Sequence, residues 1–506
     1  MLNIINSCAV VGLDCQPIEV EVDISHGKGV FTIVGLPDKA IQEATQRIRA
    51  ALQNSGLKFP ATRRLIVNLA PADTPKMGSA YDLPIAVGIM LETLKIKTDL
   101  RQSLFIGEVS LEGKLRHTDG ILPIALHAKE RGIQTLYLPK VNLGEADLIA
   151  DLRVVGLDNL GELIEHFTGR HTIEPTRTHG LRQTNTESSY ELFDLCNIKG
   201  QEQAKRALEI AAAGGHNLLF NGPPGSGKTL LAKALPSILP PMTVGEILEV
   251  TKIYSVAGRL LKDQPMIAVR PWRSPHHSSS GVALIGGGRL PRPGEISLAH
   301  RGVLFLDEFA EFPRVTLEHL RQPLEDGVIT VSRAAGSLTF PARFTLVAAQ
   351  NPCPCGYATD PERQCLCGAH QVSNYQRKIS GPILDRIDLH VEVPRVKFEK
   401  LNDDSGGETS ATVRQRVKMA RTRQLQRFQN LPMVTNAEMN PKAIQTFCPL
   451  NNDCQKLMQQ AVIKLQLSAR SFHRLIKIAR TIADLAGAET ITAEHLAEAL
   501  QYRSKN

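Results

Sequence analysis

The stretch from Asn217 to Leu235 constrains this chain more than any other. A short apolar strand, Asn217–Phe220, runs into Gly222-Pro223-Pro224-Gly225-Ser226-Gly227-Lys228-Thr229, and a helical run, Leu230–Leu235, follows. Strand, glycine-rich loop and helix in that order make a phosphate cradle. The glycines let successive backbone N–H groups point into one concavity, and the helix start adds its positive end. In such a loop the lysine, here Lys228, reaches the β- and γ-phosphates of ATP, and the hydroxyl of Thr229 binds Mg²⁺. A chance glycine turn before a helix would not carry the complete pattern with both flanks.

Two later segments belong to the same chemistry. Val303–Leu306 is continuously apolar, as a buried parallel strand is, and ends in Asp307-Glu308. Asp307 fits the carboxylate that holds Mg²⁺, and Glu308 is suited to polarising the attacking water. Acids often end buried strands for solubility, so this pair takes its meaning from the phosphate loop. Phe344–Ala349 is a further apolar strand ending in Gln350-Asn351. Asn351 can orient water beside the γ-phosphate; by itself it would read as an Asn-Pro turn.

Length and composition set the frame. At roughly 150 residues per domain, 506 residues suggest about three domains. Hydrophobic residues at 42% and charged residues at 22% suit a packed chain and not a disordered one. No apolar run approaches the roughly 18–20 residues of a membrane span. The first fifteen residues lack a basic signal-peptide start, so a cytoplasmic protein without membrane partners is expected. Nine cysteines in such a chain point to thiols or metal ligands before disulfides. The excess of 59 basic over 51 acidic side chains suits a polyanionic partner but is diffuse. Aromatics at 5%, with Trp272 the sole tryptophan, argue against stacked aromatic platforms.

Strand and helix patterns divide the chain into blocks. Residues 1–168 alternate strand-like runs (Ile18–Val22, Val30–Val34, Arg64–Leu69, Thr135–Leu138) with helical ones (Asp38–Ser55, Leu83–Leu94, Ala125–Arg131). Residues 169–190 form a polar linker, 191–395 a mostly parallel α/β block, 396–411 a loop rich in Asp, Gly and Ser, and 412–506 a helical block.

Several longer strings carry a resemblance. They are Lys199-Gly200-Gln201, Ala211 to Asn217, Arg273-Ser274-Pro275-His276-His277, Ala283 to Gly288, Pro293 to His300, Asn351 to Gly356 and Gly381 to Asp388. Together with the phosphate loop, they make the whole chain resemble the bacterial ComM/YifB family of magnesium-chelatase-like AAA+ ATPases. That resemblance implies an AAA+ P-loop core with a helical lid of the Mg-chelatase C-terminal type. It also implies a homohexamer that uses Mg-ATP to drive branch migration on single-stranded and branched DNA during natural transformation, together with recombination proteins. By position, Arg386 resembles the arginine finger offered to a neighbouring subunit's γ-phosphate. Arg470, in Ser468-Ala469-Arg470-Ser471, resembles the sensor-2 arginine that closes the lid on nucleotide, with Arg474 one turn on as the fallback.

DNA contacts are expected in three places. More than 60 residues separate the phosphate-loop helix from Asp307, far more than an ordinary βα connection, and they contain Arg270, Arg273, His276 and His277. The His pair suits a structural turn or buried hydrogen bonds as well as function; adjacent histidines alone do not make a zinc site. Val328–Ser332 and Ser337–Phe340 read as a β-hairpin with Arg333 near its tip. In the family these two segments resemble insertions that line a hexamer's channel, where Arg333 would track phosphates. The densest basic run is Arg414, Arg416, Lys418, Arg421, Arg423 and Arg427, with no acid from Thr412 to Asn430. A solvated helix face is its other reading.

Cys353, Cys355, Cys365 and Cys367 form two CxC pairs nine residues apart. Four thiolates satisfy tetrahedral Zn²⁺, and reduced thiols in a loop are the alternative. Residues 60–140 resemble the Lon protease domain and its non-proteolytic relatives through Thr74 to Ala80, Gly107 to Gly113 and Gly132 to Pro139. Ala80 falls at the serine position and Leu122 at the lysine position, so neither nucleophile nor base is in place. The first block is therefore expected to be a Lon-like, non-proteolytic α/β domain for assembly or DNA handling. A chelatase-type motor that remodels a protein partner is the rival reading of the ATPase core.

Overall fold

In the strand Asp14–Ser25, Ile18, Val20, Val22 and Ile24 are buried, while the acids between them, Glu19, Glu21 and Asp23, are more exposed. That period of two fixes one face of a sheet against a core. The strand pairs antiparallel with Asn3–Val11 on one side and Arg64–Ala70 on the other. Eight strands result, in the order Thr176–Arg177, Arg153–Leu157, Thr135–Pro139, Ser103–Phe105, Asn3–Val11, Asp14–Ser25, Arg64–Ala70, Phe31–Val34. The helix Lys39–Asn54, capped by Asp38, buries Ile41, Ala44, Ile48, Ala51 and Leu52 along one stripe. Each buried Ile or Leu of that stripe contributes roughly 1.5–3 kcal/mol. Asp82 starts the nearly all-buried helix Asp82–Leu94 and pairs with Arg47 at 2.8 Å. Burial still pushes its carboxyl up to about 6, against the pull of Arg47.

This computed structural model describes residues 3–503 apart from 75, 182–192, 262, 289–290, 334–335, 361 and 397–406. Residues 182–190 of the expected linker and most of the 396–411 loop lie outside the described residues. By contacts the chain forms two compact units, Met1–Thr184 with Thr243–Ala268, and Asn185–Met242 with Val269–Asn506. The sequence pattern places 243–268 inside the 191–395 ATPase block. Its helix Val244–Val256 instead packs with the first unit, where Leu248 and Met266 join an apolar cluster. Buried Glu145 pins it there, accepting from the Leu122 amide at 2.7 Å and from the Ser255 hydroxyl.

The second unit is built on five parallel strands in the order Trp272–Arg273, Val303–Leu306, Thr345–Gln350, Leu218–Asn221, Leu389–Glu392. Val303–Leu306 is buried at every position, as the apolar run requires. Helices Ser410–Arg427, Pro441–Phe447, Asn452–Leu465, Ala469–Ala486 and Ala493–Gln501 make up the helical block and share one apolar core with this sheet. The hairpin expected before Asn351 is present: Val328–Arg333 pairs antiparallel with Gly336–Pro341.

Candidate nucleotide-hydrolysis site

Strand register brings the predicted residues together. Asn221 lies beside Gln350, and Leu306 lies beside Ala348, so Gly222, Asp307 and Asn351 emerge at the same end of the sheet. Ligands of parallel α/β sheets bind beyond that carboxyl end. Gly227 caps the helix Lys228–Ile238 at φ +92°, a turn that favours glycine.

Lys228 is buried, and its ammonium donates to the carbonyls of Gly222 (2.6 Å) and Pro223 (2.9 Å) and to Asn351 Oδ1 (3.2 Å). Desolvation lowers its pKa to about 8, with Asp307 opposing the shift. A desolvated cation held only by neutral oxygens is strongly biased towards an anion. The Ser226 hydroxyl is buried without a partner among the described residues, which also suits an incoming oxyanion. Thr229 Oγ1 donates to Asp307 Oδ2 at 2.8 Å, so the two predicted Mg²⁺ ligands already meet. Asp307 Oδ1 accepts from the Glu308 amide at 2.9 Å. Glu308 turns off the strand at φ +51°, with His277 Nδ1 3.1 Å from its carboxylate. The residues fit Mg-ATP: a cradle, a cation, a hydroxyl–carboxylate pair and an acid beside them.

Arg386 belongs to the opposite end of the sheet. Its carbonyl accepts from Asn217 Nδ2 at 3.1 Å, and the Asp388 amide donates to the Asn217 carbonyl, just before the phosphate-loop strand begins. Four strand residues at ~3.3 Å each leave about 13 Å between this point and the loop. The Arg386 side chain is only 7% exposed and lies 2.6 Å from Glu325 Oε1. Arg470 pairs with the same carboxylate. Arg386 foremost, with Arg470, holds Glu325 below the usual carboxylate range. Arg470, whose motif points to closing on nucleotide, joins Arg386 within its own chain instead of the phosphate loop. Arg474 donates to the Ile387 carbonyl at 2.5 Å and braces the same corner.

The candidate DNA contacts divide. Arg270 donates to the Pro240 and Arg301 carbonyls at 2.6 and 2.7 Å, and Arg273 is bidentate to Glu295. Arg416 binds Glu209 at 2.6 Å and also Glu408. Arg421 donates to the Ala212 carbonyl, Arg423 to the Asp484 carbonyl, and Arg427 to Asp484 and Asn436. The basic run is thus largely a docking face of its own helix, a correction to its reading as an open phosphate track. Its partners, Glu209, Glu408 and Asp484, lie far away in sequence or just outside the acid-free window. Lys418 is exposed and Arg414 half-buried. Arg333 ends the first hairpin strand, and its side chain lies outside the described residues.

All nine cysteines are free, and the sulfurs of Cys353, Cys355, Cys365 and Cys367 lie within 4.8 Å of one another. In the first unit Leu122 is fully buried and Ser79 donates to Glu108. Lys76 Nζ donates to the Pro71 carbonyl.

Three family models match the chain in succession: subunit ChlI of Mg-chelatase over residues 20–142, magnesium chelatase subunit ChlI over 194–401, and the ChlI C-terminal part over 407–503. The competence protein ComM of Haemophilus influenzae is 44% identical over 506 residues, covering 99% of this chain and 97% of that protein. The YifB proteins of Salmonella typhimurium and Escherichia coli are each 42% identical over 505 residues, with the same coverage. The chain belongs to the ComM/YifB family. Its members are magnesium-chelatase-like AAA+ proteins, which makes the second unit an AAA+ ATPase core. The magnesium-chelatase 67 kDa subunit of Chlorobaculum parvum is a more distant match, 30% identical over 167 residues, 32% of this chain and 24% of that subunit.

Within this ComM/YifB chain two site contacts are not announced by the sequence. Glu325 carries no motif and is identified only by the two arginines that converge on it. His277 was noticed, but its contact with Glu308 depends on the fold of the long insertion. No helix among the described residues is long and apolar enough to cross a membrane.

Proposed function

We propose that this chain is an ATP-driven DNA translocase that promotes branch migration of recombination intermediates, working as a cytoplasmic homohexamer during integration of transforming DNA. The observation that carries the oligomeric reading is the separation of Arg386 from its own phosphate loop: a finger some 13 Å away serves a neighbour's nucleotide. Arg470, sharing Glu325 with it, would act across the same boundary. Lys228 and the loop amides hold the phosphates, Thr229 and Asp307 hold Mg²⁺, Glu308 takes the water's proton and Asn351 orients that water. Bound Mg-ATP supplies the energy of phosphoryl transfer. To reach a phosphate, Arg386 must exchange Glu325 for it.

The DNA reading draws on the name of the competence protein ComM and on the hairpin 328–341, which follows directly on the helix Arg321–Asp326 that carries Glu325. Arg333 is the proposed phosphate contact, with Lys418 and Arg414 as weaker candidates. Recombination proteins are the proposed partners, and Zn²⁺ the proposed occupant of the four cysteines. The test is ATPase rate with and without single-stranded and branched DNA across a salt series, with Glu308→Gln as the inactive control. Stimulation that falls steeply with salt is expected. No stimulation by any DNA would overturn this reading in favour of a motor that remodels a protein partner.

A further inference from the structure

Two residues beyond Asn351 the chain enters a turn with almost no apolar core of its own: Leu366, between two cysteines, is 89% exposed. Its order has another source. The sulfur separations are 3.4 Å for Cys353–Cys355, 3.6 Å for Cys355–Cys365 and 3.7 Å for Cys353–Cys365. Metal–sulfur bonds of ~2.3 Å in a tetrahedron give edges of about 3.8 Å. A disulfide would need ~2.05 Å. Edges this short enclose a single ion and leave no space for a multi-iron cluster.

The turn touches the nucleotide cradle from two sides. Asn351, which accepts from Lys228, leads directly into Cys353. Gly356 donates its amide to the Cys353 carbonyl at 2.9 Å and sits at φ +85° against Pro224 of the phosphate loop. A Cβ on Gly356 would come within 2.5 Å of the Pro224 ring. Pro224 follows Pro223, whose carbonyl is another acceptor for Lys228. A third anchor is Tyr357, stacked by the Arg395 guanidinium, which follows the strand Leu389–Glu392.

We propose that Cys353, Cys355, Cys365 and Cys367 bind one Zn²⁺, and that the metal-bound turn braces Pro224 and Asn351, so that nucleotide affinity depends on zinc. This rests on the reading of residues 222–229 as the nucleotide cradle and adds a structural metal that acts on it without touching phosphate. Loss of the outer-shell residues that position a site typically costs roughly 10–100-fold.

The test uses the full chain, with metal content measured by mass spectrometry and binding of a fluorescent ATP analogue measured by titration. About one zinc per chain is expected. Cys365→Ser with Cys367→Ser should lose the zinc and bind nucleotide at least roughly tenfold more weakly. Because that variant can unfold, Gly356→Ala is the second arm: it leaves every thiolate in place, should retain zinc, and should still weaken binding severalfold. A zinc-loaded Gly356→Ala protein with wild-type affinity would overturn the brace while leaving the metal. Wild-type protein without zinc, or with iron in its place, would overturn the metal. Wild-type protein that holds zinc but binds no nucleotide would overturn the cradle reading itself.

Discussion

Lys228 and Arg416 are both partly buried cations in conspicuous basic or glycine-rich sequence, and their surroundings are opposite. Lys228 is held by two carbonyls and an amide oxygen, and burial lowers its pKa to about 8. Arg416 lies between two carboxylates, Glu408 and Glu209, which raise its pKa. The first cation is under-compensated and waits for an anion; the second already has two. The difference teaches that a cluster of positive charge is not a binding surface until its internal partners are known. One lysine among glycines is the better anion site than six basic residues on a helix.

The largest expected effect tests the first half of that contrast. Lys228→Ala should remove two or three charge-assisted contacts to phosphate at ~1.5–3 kcal/mol each, and so abolish measurable ATP binding and hydrolysis. Normal turnover in that variant would mean the under-compensated cation has another purpose. Arg386→Ala comes next, with turnover falling ~10³-fold while nucleotide still binds. Mixing it with Lys228→Ala protein should restore part of the rate, because each variant supplies what the other lacks. Restoration absent at every mixing ratio would return Arg386 to a purely structural pairing with Glu325.

A smaller effect comes from the titration of Lys228. The ammonium must be charged to hold phosphate, and desolvation brings its pKa down to about 8. Affinity should therefore be flat below pH 8 and fall about tenfold by pH 9, measured by titration with a fluorescent nucleotide. Lys228→Arg, which stays charged, should abolish the slope whatever its absolute affinity. A pH-independent wild-type affinity would show that burial does not govern this cation.

What could be read in advance follows from how far apart the partners are in sequence. Gly222 to Thr229, Asp307, Glu308 and Asn351 were legible because each is announced by the strand immediately before it. A parallel sheet then brings those strand ends together by register. Glu325, Glu209 and Asp484 were not legible as partners, because the arginines they hold lie 61, 207 and 57 residues away (Arg386, Arg416 and Arg427). The same limit applies to 243–268: the core that receives Leu248 and Met266 lies in the first unit, and no local pattern announces it. Local charge counting misses the partners at Ser410–Arg427 for this reason, whereas the strand-end motifs lie at one end of the sheet.

The smallest expected effects separate the two kinds of cation on DNA itself. Removing Arg416 leaves buried Glu209 with Arg206 as its remaining partner. Arg416→Ala should therefore cost about 1–3 kcal/mol of stability, read as a lower denaturation midpoint, with the salt dependence of DNA binding unchanged. Arg333→Ala should do the reverse: an unchanged midpoint, weaker DNA binding at every sequence, and a salt slope shallower by about one unit per subunit engaged. The comparison is sharp because each variant has a readout the other should not move. If Arg416→Ala instead made the salt slope shallower at unchanged stability, its carboxylate pairs would be exchangeable for phosphates. The helix Ser410–Arg427 would then be a second DNA surface, opened only when the nucleic acid displaces Glu408 and Glu209.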